Sequence, residues 1–189
     1  MKRNDTYIEG VLIMELATMV VAIALAFLAS SLSTYSSQAI QTIVEFVIIS
    51  TVVVWFWWSY VVERIEYPFK TFKFPFYDVL ILITISLIPF VYKIGGIMYI
   101  AGLLSFLMFF WSLMLIGIKN EYIDSINEIE RKIFNFEIRS RIIITLVSAF
   151  TVIVAYFSIF YGIIVFTFVI VIIIFGYLRK INLIKLKQT

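Results

Sequence analysis

Apolar residues fall in long unbroken blocks along this chain, and the polar residues gather between them. The blocks predict six helices, at about 10–31, 42–62, 76–92, 97–118, 142–158 and 162–178. Crossing a hydrocarbon core roughly 30 Å thick takes about 20 helical residues, and backbone inside it must satisfy its own hydrogen bonds. Runs rich in Ile, Leu, Val and Phe meet that requirement as helices. The short alternating segments that mark a transmembrane barrel do not occur in the sequence. The second block ends in Trp55, Phe56, Trp57, Trp58 and Tyr60, rings suited to the headgroup boundary. Pro68 and Pro75 interrupt the polar stretch 63–75, Pro89 sits in the last turn of the third block, and Lys93, Gly95 and Gly96 make a tight connection to the fourth. The stretch from Ile142 to Leu178 is too long for one crossing and predicts two helices turning near Tyr161 and Gly162. Ile123, Ile126, Ile129, Ile133 and Phe134 recur at helical spacing among the charges of 119–141, so that segment reads as an amphipathic surface helix. The pattern as a whole predicts an all-α integral membrane protein, a six-transmembrane-helix bundle in a single domain spanning 1–189.

Composition agrees with that reading. The chain is 63% hydrophobic and 14% charged, whereas a soluble domain is nearer half apolar and a quarter charged. The placement of charge sets the expected topology. With six crossings, the amino terminus, the segments 63–75 and 119–141 and the tail from Arg179 share one side, and every Lys and Arg except Lys93 falls on it. Positive loops stay cytoplasmic, so both termini are expected inside a multi-pass cell-membrane protein. The apolar run after Gly10 is too long for a cleavable signal and lacks a small-residue cleavage site.

Cysteine and histidine are both absent. Disulfides, thiolate metal sites, cysteine nucleophiles and imidazole proton shuttles are therefore excluded. No Walker loop, Gly-x-Ser-x-Gly elbow, zinc-protease motif or potassium-filter loop is present. No basic patch interleaved with aromatics suggests nucleic acid. The reading is of a protein that is not an enzyme and uses no cofactor or metal.

Chemistry is left to the few polar residues inside the helices. Glu15 and Glu45 fall within the first and second, and a carboxylate at membrane depth costs a few kcal/mol unless it is protonated, paired or facing water. Glu15, Thr18, Ala22, Ala26 and Ala29 recur every three or four residues, forming a stripe of small side chains headed by an acid. Two readings stay open for it: close helix packing through small residues with Glu15 neutral, or a water-filled ion path. Glu45 reads as a structural or assembly contact. No Lys or Arg lies in a predicted helix core to pair with either acid.

The chain opens Arg3-Asn4-Asp5-Thr6-Tyr7-Ile8-Glu9-Gly10-Val11. This resembles the Arg-x-x-x-Phe-Ser-Asp-Gly-Val signature of the transmembrane protein 175 family of cation channels. Arg3 stands at the arginine, Tyr7 at the phenylalanine and Glu9 at the aspartate; Gly10 and Val11 match, and Ile8 replaces the serine. Ser86-Leu87-Ile88-Pro89-Phe90 is similar to the end of the family's third helix, while Ser50 and Trp58 correspond to its second-helix serine and tryptophan, with Val61 in place of a following histidine. The resemblance implies a potassium-preferring, passive cation channel assembled from four subunits, its pore lined by the first helix. The family's constricting isoleucine corresponds to Met14, a softer side chain, followed along the pore by Thr18, Val21 and Ala22. Its flanking hydroxyl positions are Ile13 and Ala17 here. Arg3 and Glu9 are then expected to anchor the pore helix with Tyr7 and Gly10, Glu9 also suiting the positive helix start. Glu15 beside the constriction would attract cations or relay protons. The alternatives are a proton-coupled small transporter using Glu15 and Glu45, and a non-conducting membrane scaffold subunit.

Overall fold

The computed structural model describes the backbone of Glu15, of 17–30, 39–68 and 75–188; the side chains at 39–42, 45, 75 and 180–188 are outside the description. The described residues are helical almost throughout. Six helices are present: α1 (Ala17–Ser30), α2 (Ala39–Glu66), α3 (Pro75–Ile94), α4 (Ile97–Glu121), α5 (Glu128–Phe157) and α6 (Ile159–Gln188). Five of them, α2 to α6, are long and apolar enough to cross a membrane. The all-helical, membrane-spanning class expected from the apolar blocks is thus present in the fold.

The chain divides into two compact units, Met1–Ile94 and Gly95–Thr189. In the first unit, Tyr60 and Arg64 near the end of α2 reach Asp78 at the start of α3, so these helices run antiparallel. Phe27 near the end of α1 stacks on Phe90 near the end of α3, ring centres 3.8 Å apart, with the Lys93 ammonium 5.0 Å from the same Phe27 ring. This contact brings the end of α1 against the end of α3.

In the second unit, Ser105 Oγ donates to the Thr145 carbonyl (3.1 Å) and Lys119 Nζ to Asn135 Oδ1 (2.7 Å), which fixes α4 and α5 antiparallel. Helices α5 and α6 reverse through Ser158 alone, whose extended backbone (φ −156°) breaks the helix while its N–H still bonds the Val154 carbonyl. So sharp a return brings the two backbones together. A Cβ on Gly162 would lie 2.6 Å from Ala155 Cβ and 2.9 Å from its Cα. Gly162, read from sequence as part of the turn, is instead a contact residue inside α6.

Several other boundaries differ from the pattern-based expectation. The segment 119–141 is not one surface helix: α4 continues to Glu121, a turn follows, and α5 starts at Glu128. The cause is a capping box at Asn127, whose side chain accepts from the Glu130 N–H (2.8 Å) while its own N–H donates to Glu130 Oε2 (2.9 Å). Helix α5 then runs unbroken from its polar first turns into the apolar stretch. Pro75 opens α3 instead of breaking it, since a proline at the first helical position lacks only an N–H that would find no partner there.

Candidate functional site

On a helix the side chains at i, i+3, i+4 and i+7 share a face, and α1 presents two contrasting ones. Ala17, Val21, Ala24 and Leu28 are buried within the chain. Glu15, Thr18, Ala22, Ala26 and Ala29 are all exposed. The small residues picked out by spacing are thus exposed among the described residues. Val21, expected beside Thr18 and Ala22, is buried instead: it continues the inward row of Ala17, Ala24 and Leu28 at spacings of four, three and four. Met14 and the motif residues Arg3, Tyr7, Glu9 and Gly10 lie outside the described residues. Glu45 lies in α2, and its side chain is outside them too.

A second polar constellation joins α2 to α3 and was not legible in the spacing. The Arg64 guanidinium grips Asp78 with two bonds, Nε to Oδ1 (2.7 Å) and Nη2 to Oδ2 (2.8 Å), and the Tyr60 hydroxyl donates to Oδ1 (2.6 Å). All three residues are buried, as is Glu63 beside them. Arg64, assigned from sequence to a loop, belongs to the last turn of α2. A fixed ion pair between helices therefore exists, joining Arg64 and Asp78. Tyr60, read as part of an interfacial aromatic cluster, is wholly buried and serves as a donor, while Trp58 keeps more than half its surface exposed. The signal available in the sequence was Asp78 itself, an acid in the first turn of an otherwise apolar helix. Such a bidentate arginine–carboxylate contact fixes geometry as well as charge, so it clamps the end of α2 to the start of α3.

Polar contacts in the second unit collect at one end. Besides Lys119 and Asn135, the Arg141 guanidinium lies 4.5 Å from the centre of the buried Trp111 ring and Arg179 lies 5.1 Å from that of Phe136. Glu137 is buried among them on α5. Higher in the same unit a fully buried hydroxyl, Ser148 Oγ, has no hydrogen-bond partner. Among the described residues, no group of three or more acidic or other metal-ligating side chains is assembled.

No family model, curated protein or solved structure matches this chain. Its reading rests on the surfaces just described.

Proposed function

We propose that this protein is a passive, potassium-preferring cation channel of the cell membrane, assembled as a homotetramer with the first helices around a central path. The observation that carries the reading is the exposed stripe of α1. Glu15, Thr18 and three alanines make a weakly polar, exposed row of small side chains, bordered by the exposed Met19 and Ile23. A face of that kind is poorly suited to lipid at its acidic end and well suited to water or to a symmetry-related copy. The resemblance of residues 3–11 to the transmembrane protein 175 family adds the pore assignment, with Met14 at the constriction, Thr18 and Ala22 along the path and Arg3, Tyr7, Glu9 and Gly10 holding the helix entry. The segregation of all Lys and Arg but Lys93 to one side supports cytoplasmic termini.

The test is the mass of the purified particle in detergent together with potassium and proton flux in liposomes, for the native chain and for Glu15→Gln. The channel reading expects a tetramer, potassium flux without a coupled pH gradient, and an altered pH dependence of current in E15Q. A flux strictly coupled to protons would make the protein a transporter. A folded protein with no flux would leave a scaffold.

A further inference from the structure

The α5–α6 hairpin carries two exposed arginines at the same level. Arg139 stands three residues before the apolar stretch of α5 begins at Ile142, and Arg179 directly follows the apolar stretch of α6 that ends at Leu178. The antiparallel register set by Ala155 against Gly162, by Ser140 against Gly176 (4.0 Å) and by Phe136 against Arg179 puts Arg139 opposite the turn of α6 just before Arg179. Phe136 and Arg139 are neighbours on α5, since residues three apart sit about 5–6 Å apart at Cβ. Arg179 thus packs on the Phe136 ring, and Arg139 stands one turn further along α5 from that ring.

Among the described residues no carboxylate pairs with Arg139 or Arg179, and the contact recorded for Arg179 is the Phe136 ring. The acids nearest in sequence on α5 are already committed: Glu128 to Lys132 (2.8 Å), Glu130 to the capping box, and Glu137 to the buried side. Directly along the helix from Arg139, at spacings of three and four, Ile143, Leu146, Phe150 and Ile153 form an exposed apolar column. On α6, Ile174, Phe175 and Leu178 are exposed next to Arg179. Two exposed arginines, with no carboxylate partner among the described residues, thus lie at the foot of a hydrocarbon-compatible surface.

We propose that Arg139 and Arg179 bind the phosphate of an anionic phospholipid, whose acyl chain lies along the Ile143–Ile153 column. The charge is complementary, and the planar guanidinium fork matches phosphate oxygens in a way that a lysine ammonium does not. The ring of Phe136 holds Arg179 in place before the lipid arrives, which lowers the ordering cost of binding. The inference depends on the hairpin crossing a membrane and is independent of ion conduction.

The experiment is native mass spectrometry of the full chain, released from mixed micelles holding equal amounts of phosphatidylglycerol and phosphatidylcholine. The native protein is expected to retain phosphatidylglycerol selectively. R139A/R179A should retain at least about tenfold less, the size of effect that loss of charge-assisted bonds to a phosphate produces. R139K/R179K should fall between the two, and K132A, an exposed cation already paired with Glu128, should match the native chain. Helix content by circular dichroism and a single elution peak establish that each variant is folded; if the double alanine variant aggregates, R139A and R179A separately carry the comparison. The proposal is overturned if the native chain shows no preference, if R139A/R179A retains the lipid, if the lysine variant binds as well as the native one, or if K132A loses as much as the arginine variants.

Discussion

At Asp78 one carboxylate receives Arg64 through both of its oxygens and Tyr60 through one of them, in a setting where all three residues are buried. Taking such a pair out of water costs several kcal/mol per ion, and the mutual attraction restores this only when the geometry is good and the remaining donors are used. The arrangement therefore stabilises little in absolute terms but is costly to break by halves. Asp78→Ala strands the guanidinium and is expected to destabilise by about 3–5 kcal/mol. Replacing both partners, as in R64M/D78L, removes the stranded charge along with the pair and should recover most of that loss. Thermal unfolding in detergent of the native, single and double variants measures this; a double variant no more stable than D78A would show that the pair is not the source of the effect. The exposed pair of Lys132 and Glu128, both more than half solvent-accessible, is a contrast, since ion pairs at the surface contribute at most about 1 kcal/mol.

Among the elements, the α5–α6 hairpin shows most plainly how one short residue sets a helix crossing. Ser158 alone reverses the chain, so α6 starts directly against the end of α5, and Gly162 sits where a side chain would meet Ala155 backbone atoms. A methyl there has no flexible neighbour to push aside. Gly162→Ala is expected to cost about 1–3 kcal/mol by overpacking, or to splay the hairpin, although in an isolated helix the same change would be favourable. Unfolding in detergent reads the sign: a stabilised G162A would mean that the helices separate freely at this point. The beginning of α5 was readable in the chain as Asn127-x-x-Glu130, a capping box worth about 1 kcal/mol at its first residue. Hydrophobic periodicity alone had carried the helix across the break at 122–127. The periodic signal of isoleucines at 123, 126, 129 and 133 arises from a turn and the start of one helix: Ile123 and Ile126 lie in the turn, Ile129 and Ile133 in α5, and Ile126 is buried while Ile123 and Ile129 remain exposed.

For the molecule as a whole, the surface is apolar over most of its helical length. Helix α6 buries Val169 and Gly162 but exposes Ile163, Ile164, Phe168, Ile170, Val171, Ile174 and Phe175. Fully burying one such side chain yields about 1.5–3 kcal/mol, so this helix is stable only where lipid or another subunit meets it. The expected sidedness follows from the charges and has a direct check. The chain contains no cysteine, so single cysteines report cleanly on their own positions. In intact cells a membrane-impermeant thiol reagent is expected to label Lys93→Cys and to spare Asp124→Cys until the membrane is opened. Labelling of D124C from outside would reverse the proposed orientation.

The apolar blocks by themselves determined the fold class, because a membrane dictates that long greasy segments become helices, whatever their partners. They also determined the small-residue face of α1, since spacing fixes which side chains of a helix share a side. Which side of α1 is covered was decided only by tertiary packing: Val21 and Thr18 are equally plausible as surface residues until neighbours bury one and leave the other exposed. The same holds for Tyr60, Arg64 and Asp78, separated by 14 and 18 residues across a loop, and for Phe136 with Arg179 across a hairpin. Contacts of that kind depend on register between helices. Register comes from the fit of side chains across an interface, which no periodicity within a single segment records.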